Sequence, residues 1–250
     1  MGLFVHDDPD YNEAYRMTGF NRYKQLLSFH AGNWLKVNLI TTAGILPFAA
    51  LCTYAILSSS SLVMLLGGLI GGAIFGPFWA GLHSVLIKGM MDAPGRFWEN
   101  YRKSWKLNLK SSLLPGAIMG LFAGMFLFMA YMMYTAVISP SLGTLALYFF
   151  GLLLYIFINT LLWPQLVLFD QTLVARIRNI ILFGSKYLWK VLRVSALPLA
   201  WLIILFLFAP FTLLVIPCLG FWYVLFLSEL ILYEDLNREL HLEELYGVER

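Results

Sequence analysis

Three ionisable residues stand in or beside long apolar runs of this 250-residue chain: His83, Asp170 and Glu229. A charge at mid-bilayer costs about 2.5–3.5 kcal/mol on insertion scales, so such residues are kept where they pair or line a polar path. Asn159 adds an amide to the fourth run, and His83, Asn159, Asp170 and Glu229 together form the candidate polar membrane site. His83 and Asp170 each follow a proline by six residues (Pro77, Pro164), and Glu229 follows Pro217 by twelve. All three therefore lie toward the same end of their runs, where a side chain also reaches the interface cheaply, so anchoring of span ends is the competing reading. His83 and Glu229 have the makings of an acid/base pair. No nucleophile, H-E-x-x-H, C-x-x-C or glycine-lysine phosphate loop accompanies them. The reading is of a protein that is not an enzyme, with no catalytic residue, cofactor or metal. Cys52 and Cys218 lie inside apolar runs and read as small buried apolar residues rather than as a disulfide.

A second chemistry is concentrated in Lys88–Lys110, which holds six of the seventeen Lys and Arg. Phe97, Tyr101, Trp105 and Leu109 recur every four residues and share one helical face, flanked by Arg102, Lys103, Lys106 and Lys110. The pattern predicts an interfacial amphipathic helix, with rings at headgroup depth and cations on lipid phosphate. Each such cation is worth about 1 kcal/mol near an anionic leaflet. Phe97, Tyr101, Arg102, Lys103, Trp105, Lys106 and Lys110 are thus candidate contacts to membrane lipid or to a cytoplasmic partner. Nucleic acid is an unsuitable ligand, because the aromatic stripe sits where the membrane needs it.

The elements that must carry these residues can be read from composition. Sixty per cent apolar residues, 12% charged residues and a mean hydropathy of +0.75 exclude a soluble domain, which carries about 25% charged residues. Apolar blocks long enough to cross a ~30 Å core predict an all-α integral membrane protein with six transmembrane helices. The expected spans are about 35–57, 62–87, 113–138, 144–168, 194–212 and 215–233, within a single membrane domain spanning 1–250. Residues 1–33 read as an interfacial leader and 234–250 as a polar tail, EDLNRELHLEELYGVER, able to pack on the chain's own basic segments or on a partner. With six spans, all seventeen Lys and Arg fall on one side, while the turns Ser58–Ser61 and Ser139–Gly143 carry no charge. The positive-inside rule then places both termini in the cytoplasm of a multi-pass protein of the bacterial cell (inner) membrane.

Gly67, Gly68, Gly71, Gly72 and Gly76 give the second run small-xxx-small spacing, which predicts close packing on sister helices. Trp105-Lys106-Leu107 leading to Pro115 recurs as Trp189-Lys190-Val191 leading to Pro198, and more faintly as Trp34-Leu35-Lys36 before Pro47. Three repeated hairpins are expected, each opened by a cytoplasmic interfacial amphipathic helix, with Pro77, Pro164 or Pro217 in the returning leg.

The run Leu82-His83-Ser84-Val85-Leu86-Ile87-Lys88, then Phe97-Trp98-Glu99-Asn100-Tyr101-Arg102-Lys103-Ser104-Trp105-Lys106-Leu107-Asn108-Leu109-Lys110, resembles the core of the YesL-like family of bacterial membrane proteins. That family is a domain of unknown function often associated with carbohydrate uptake genes. The stretch Asn33 to Pro47 is similar to the family's opening, and the resemblance is specific around 76–115. The loop Gly89-Met90-Met91-Asp92-Ala93-Pro94-Gly95 departs from the family's charged run. The resemblance implies a non-catalytic accessory or scaffold protein that assists a carbohydrate import system, with importer subunits as partners. The repeat and its prolines support an alternative, a small-solute transporter or channel in its own right.

Overall fold

The computed structural model describes residues 17–92, 97–208 and 210–242. Among these it is helical, without a strand. The elements are α1 (Gly19–Leu57), α2 (Ser61–Met90), α3 (Phe97–Tyr134), α4 (Leu142–Leu168), α5 (Leu173–Lys186), α6 (Leu188–Leu207), a 3-10 turn (Phe211–Leu214), α7 (Val215–Leu219) and α8 (Trp222–Leu240). Six stretches are long and apolar enough to cross a membrane: α1, α2, α3, α4, α6 and the α7–α8 stretch Val215–Leu240. The chain is a helical, multi-pass integral membrane protein.

Serine and threonine in the turns cap three of these helices. Ser60 accepts a hydrogen bond from the Val63 N–H, Ser141 from the Thr144 N–H, and Thr172 from the Ala175 N–H, satisfying donors that a helix start leaves orphaned. Pro47, Pro77, Pro115, Pro164 and Pro198 all lie inside helices, which membrane bundles tolerate because neighbours re-satisfy the freed backbone groups.

Two of the three expected interfacial helices are not separate elements. α1 starts within the leader and runs unbroken to Leu57, and α3 runs from Phe97 to Tyr134. No glycine or proline stands between Phe97 and Leu114, and the helix runs on through Pro115 at the membrane boundary, so the amphipathic stretch and the span are one rod. Only the third is distinct: α5 ends at Lys186, and the Tyr187 backbone leaves the helical region before α6 begins.

α2 is the centre of the packing, and its two glycine rows face two partners. A Cβ on Gly67 or Gly71 would press on Leu51 or Phe48 of α1. A Cβ on Gly72 would lie 2.6 Å from the Gly120 Cα of α3, and one on Gly76 2.6 Å from the Ser112 carbonyl oxygen. Gly116 and Gly120 meet α2 in the same way, so α2 and α3 touch backbone to backbone over several turns. On the other flank of α1, fully buried Trp34 packs on Phe226 of α8 with ring centroids 4.5 Å apart, and on Trp222 at 5.7 Å.

Candidate functional site

His83 projects from α2 and Glu229 from α8, 146 residues apart in sequence, and His83 Nδ1 bonds directly to Glu229 Oε1. Both side chains are buried. Their walls are aromatic: the Trp79 ring meets the imidazole edge-on at 5.5 Å, and the Trp163 ring lies nearly parallel to it at 6.3 Å. The outer atoms of the pair, His83 Nε2 and Glu229 Oε2, are buried without a hydrogen-bond partner among the described residues. An imidazole bonded to a carboxylate between aromatic rings is a titratable pair held in apolar surroundings, and that is what makes it a candidate site.

The other two sequence candidates are placed differently. Asn159 reaches the pair only through Trp163, accepting from its Nε1 at 2.8 Å while donating to the Tyr155 carbonyl at 2.8 Å. It thereby orients the ring that stacks on His83. Asp170 lies exposed just beyond the end of α4. It does not line the pair; its charge acts instead on Arg176, whose guanidinium burial pulls below its ordinary range. The expectation of one four-residue site is corrected for Asp170, because α4 ends before that residue.

Two arrangements hold α8 where Glu229 can meet His83. The first is a joint at the α7–α8 break. Asn38 of α1, fully buried, donates from Nδ2 to the Ile216 and Pro217 carbonyls at 2.9 and 2.7 Å. Its Oδ1 accepts from the Phe221 and Trp222 N–H groups, both at 3.1 Å. Trp201 Nε1 donates to the Gly220 carbonyl at 2.7 Å, and Trp222 Nε1 to the Cys218 carbonyl at 2.8 Å. A broken helix in a bilayer must have such partners. The second is a clamp at the basic end of the bundle. Asp235 bonds Lys190 and Arg238, and Glu239 bonds Lys186 at 2.7 Å and the Tyr187 hydroxyl at 2.6 Å. The Glu239 hydrogen bond holds the Lys186 ammonium above its ordinary range. The first turns of the expected tail thus continue α8 and pack on the chain's own second basic segment, while 243–250 lies outside the described residues.

The basic island divides between two faces of α3. Phe97 and Tyr101 are buried; the Tyr101 ring fills the space beside Gly81 of α2. The expectation that these two rings contact lipid or a partner is therefore corrected: α2 covers Tyr101, and Lys36 of α1 lies over the Phe97 ring at 5.6 Å. Ser104 extends the same seam, accepting from Ser84 at 2.9 Å and from Lys88 Nζ at 2.8 Å. Trp105 is half-buried, edge-on to Phe78. Arg102, Lys103, Lys106 and Lys110 occupy the opposite, exposed face, and none of them forms an ion pair with a described residue.

Several contributors escape sequence reasoning. Asn38 is visible there only as an amide in an apolar run, and Trp79 and Trp163 as ordinary core rings. Arg22 of α1, buried, bonds Asp92 at 2.6 Å and the Met90 carbonyl at 2.8 Å, tying the start of α1 to the end of α2. Cys52 is buried as expected, but Cys218 is exposed on the bundle surface, and neither forms a disulfide. No group of His, Cys, Asp and Glu suited to a metal occurs among the described residues. Comparison with family models, with curated proteins and with solved structures gives no match.

Proposed function

We propose that the protein is a non-catalytic membrane scaffold that presents a basic helical surface to an acidic cytoplasmic partner. The observation that carries this reading is the continuity of α3. Its 38 residues measure about 57 Å, nearly twice a ~30 Å hydrocarbon core. Counting from Tyr134, about twenty residues cross that core, which leaves Lys110 near the headgroups and Lys106, Lys103 and Arg102 successively farther out. A helix lying flat would offer all four cations to lipid phosphate. A helix that continues along its own span offers lipid the nearest ones and leaves the rest for a protein. Both termini and the basic end face the cytoplasm of a bacterial inner membrane in this reading, on the positive-inside argument. The YesL-like resemblance supplies the setting, a carbohydrate import system whose subunits are the partners.

Affinity purification in mild detergent tests the proposal. Importer subunits are expected in fixed ratio with the wild-type protein and are expected to be lost from the Lys103→Glu/Lys106→Glu double variant. Recovery of the protein alone, repeatedly, sinks it.

The buried His83–Glu229 pair and the broken α7–α8 helix favour a second reading, a small-solute transporter or channel. Reconstituted protein would then move a solute, and Glu229→Gln would alter the flux. No flux across a broad panel of sugars and ions argues against it.

A further inference from the structure

We propose that His83 and Glu229 form a proton-binding site inside the bundle, distinct from the basic face and serving the joint between α2 and α8. Contact between Nδ1 and Oε1 requires one proton between them, because two facing lone pairs repel. With that bridging proton in place, the charge of the pair is decided at His83 Nε2. A second proton there makes the pair neutral overall; its loss leaves one negative charge.

The surroundings make that difference consequential. The side chains are 2% and 5% exposed, between the rings of Trp79 and Trp163. Among the described residues, His83 is the titratable group bonded to the Glu229 carboxylate. The titratable groups on neighbouring elements are engaged elsewhere or apart. Tyr23 of α1 bonds Tyr223 of α8, and Lys88 of α2 bonds Ser104 of α3. Tyr155 of α4 donates to the Met119 carbonyl, and Lys190 of α6 and Arg238 of α8 hold Asp235. Tyr101 of α3 keeps an unpartnered hydroxyl but fills the space at Gly81.

The step balances simply. The Nε2–H proton passes to water, the nitrogen keeps its lone pair, the bridging proton stays, and no electron changes hands. The negative charge then left among apolar rings needs water to solvate it. His83 lies seven residues before Met90, about 10 Å of helix from the basic end.

Such a site is independent of the scaffold reading and deepens the transport alternative, but its test needs no flux. Protein labelled with 15N-histidine is placed in phosphatidylcholine nanodiscs and followed by NMR from mildly acidic to mildly alkaline buffer. The chain has four histidines, and His83→Gln identifies the signal of interest. The expected result is an imidazole whose Nδ1 proton persists in a strong hydrogen bond while Nε2 gains and loses its proton. Glu229→Gln is expected to abolish the strong-bond signature at Nδ1. A His83 that keeps one protonation state throughout, or that titrates identically in Glu229→Gln, overturns the proposal. If Glu229→Gln does not fold, the wild-type titration alone decides it.

Discussion

Asn38 shows how much one side chain can be asked to do in a bilayer. Its amide offers two donors and an acceptor oxygen with two lone pairs, and all are used on the α7–α8 break. Asn38→Leu would leave the Pro217 carbonyl and the Phe221 and Trp222 N–H groups without the partners they have here, while the Ile216 carbonyl keeps the Gly220 N–H. Each unmade bond of this kind costs about 1–3 kcal/mol, though interhelical bonds in bilayers average nearer ~0.6 kcal/mol. The net expectation is a loss of about 2–5 kcal/mol, read as a lowered unfolding midpoint in detergent. An Asn38→Leu midpoint within error of wild type would mean the break is held some other way. The sequence displays an amide in the first apolar run, but its targets lie about 180 residues on, and no local pattern connects them. The same limit explains Phe97 and Tyr101. Four-residue spacing places both on one helical face, yet only the positions of α1 and α2 decide whether that face meets lipid or protein.

At the scale of elements, the small-xxx-small row of α2 was legible because the helical period and the absence of side chains are both local facts. Its partner row in α3, Gly116-xxx-Gly120-xxx-Gly124, has the same spacing and was equally readable once a partner was sought. The seam is not equally tight along its length, and that permits a paired prediction. A Cβ at Gly72 meets backbone atoms of Gly116 and Gly120 closer than real Cβ atoms approach, and backbone cannot swing aside. At Gly124 the nearest atom is Met64 Sδ at 3.2 Å, the far part of a flexible side chain. Gly72→Ala is therefore expected to destabilise the fold by about 1–3 kcal/mol, the usual cost of overpacking. Gly124→Ala is expected to be neutral or slightly stabilising, since replacing a helical glycine recovers up to about 1 kcal/mol. Thermal unfolding of the two variants side by side checks the contrast, and equal midpoints would contradict the backbone-to-backbone seam. What spacing did not reveal was where one helix ends and the next begins. An amphipathic run beside an apolar run looks alike in sequence whether the two are one rod, as in α3, or hinged, as between α5 and α6.

At the scale of the whole molecule, charge is sorted to one end of the bundle, and the sorting serves two purposes. Lys186, Lys190 and Arg238 are spent on Asp235 and Glu239, closing α5, α6 and α8 together. Arg102, Lys103, Lys106 and Lys110 stand on the outward face of α3 with no ion pair to a described residue. Which side of the membrane that end occupies decides everything proposed for it, because an acidic cytoplasmic partner cannot reach cations on the outside. The turn at Ser58 and the turn at Ser139 are both exposed at the uncharged end, and Lys106 is exposed at the basic end. In a Cys52→Ala/Cys218→Ala background, an impermeant maleimide applied to intact cells is expected to label Ser58→Cys and Ser139→Cys. Lys106→Cys is expected to react only after the membrane is permeabilised. The reverse pattern would place the basic rail outside, against the positive-inside rule, and would remove the scaffold reading at once. The His83–Glu229 pair would survive that result, since its bonding depends on the packing of α2 against α8 and not on the direction in which the bundle faces.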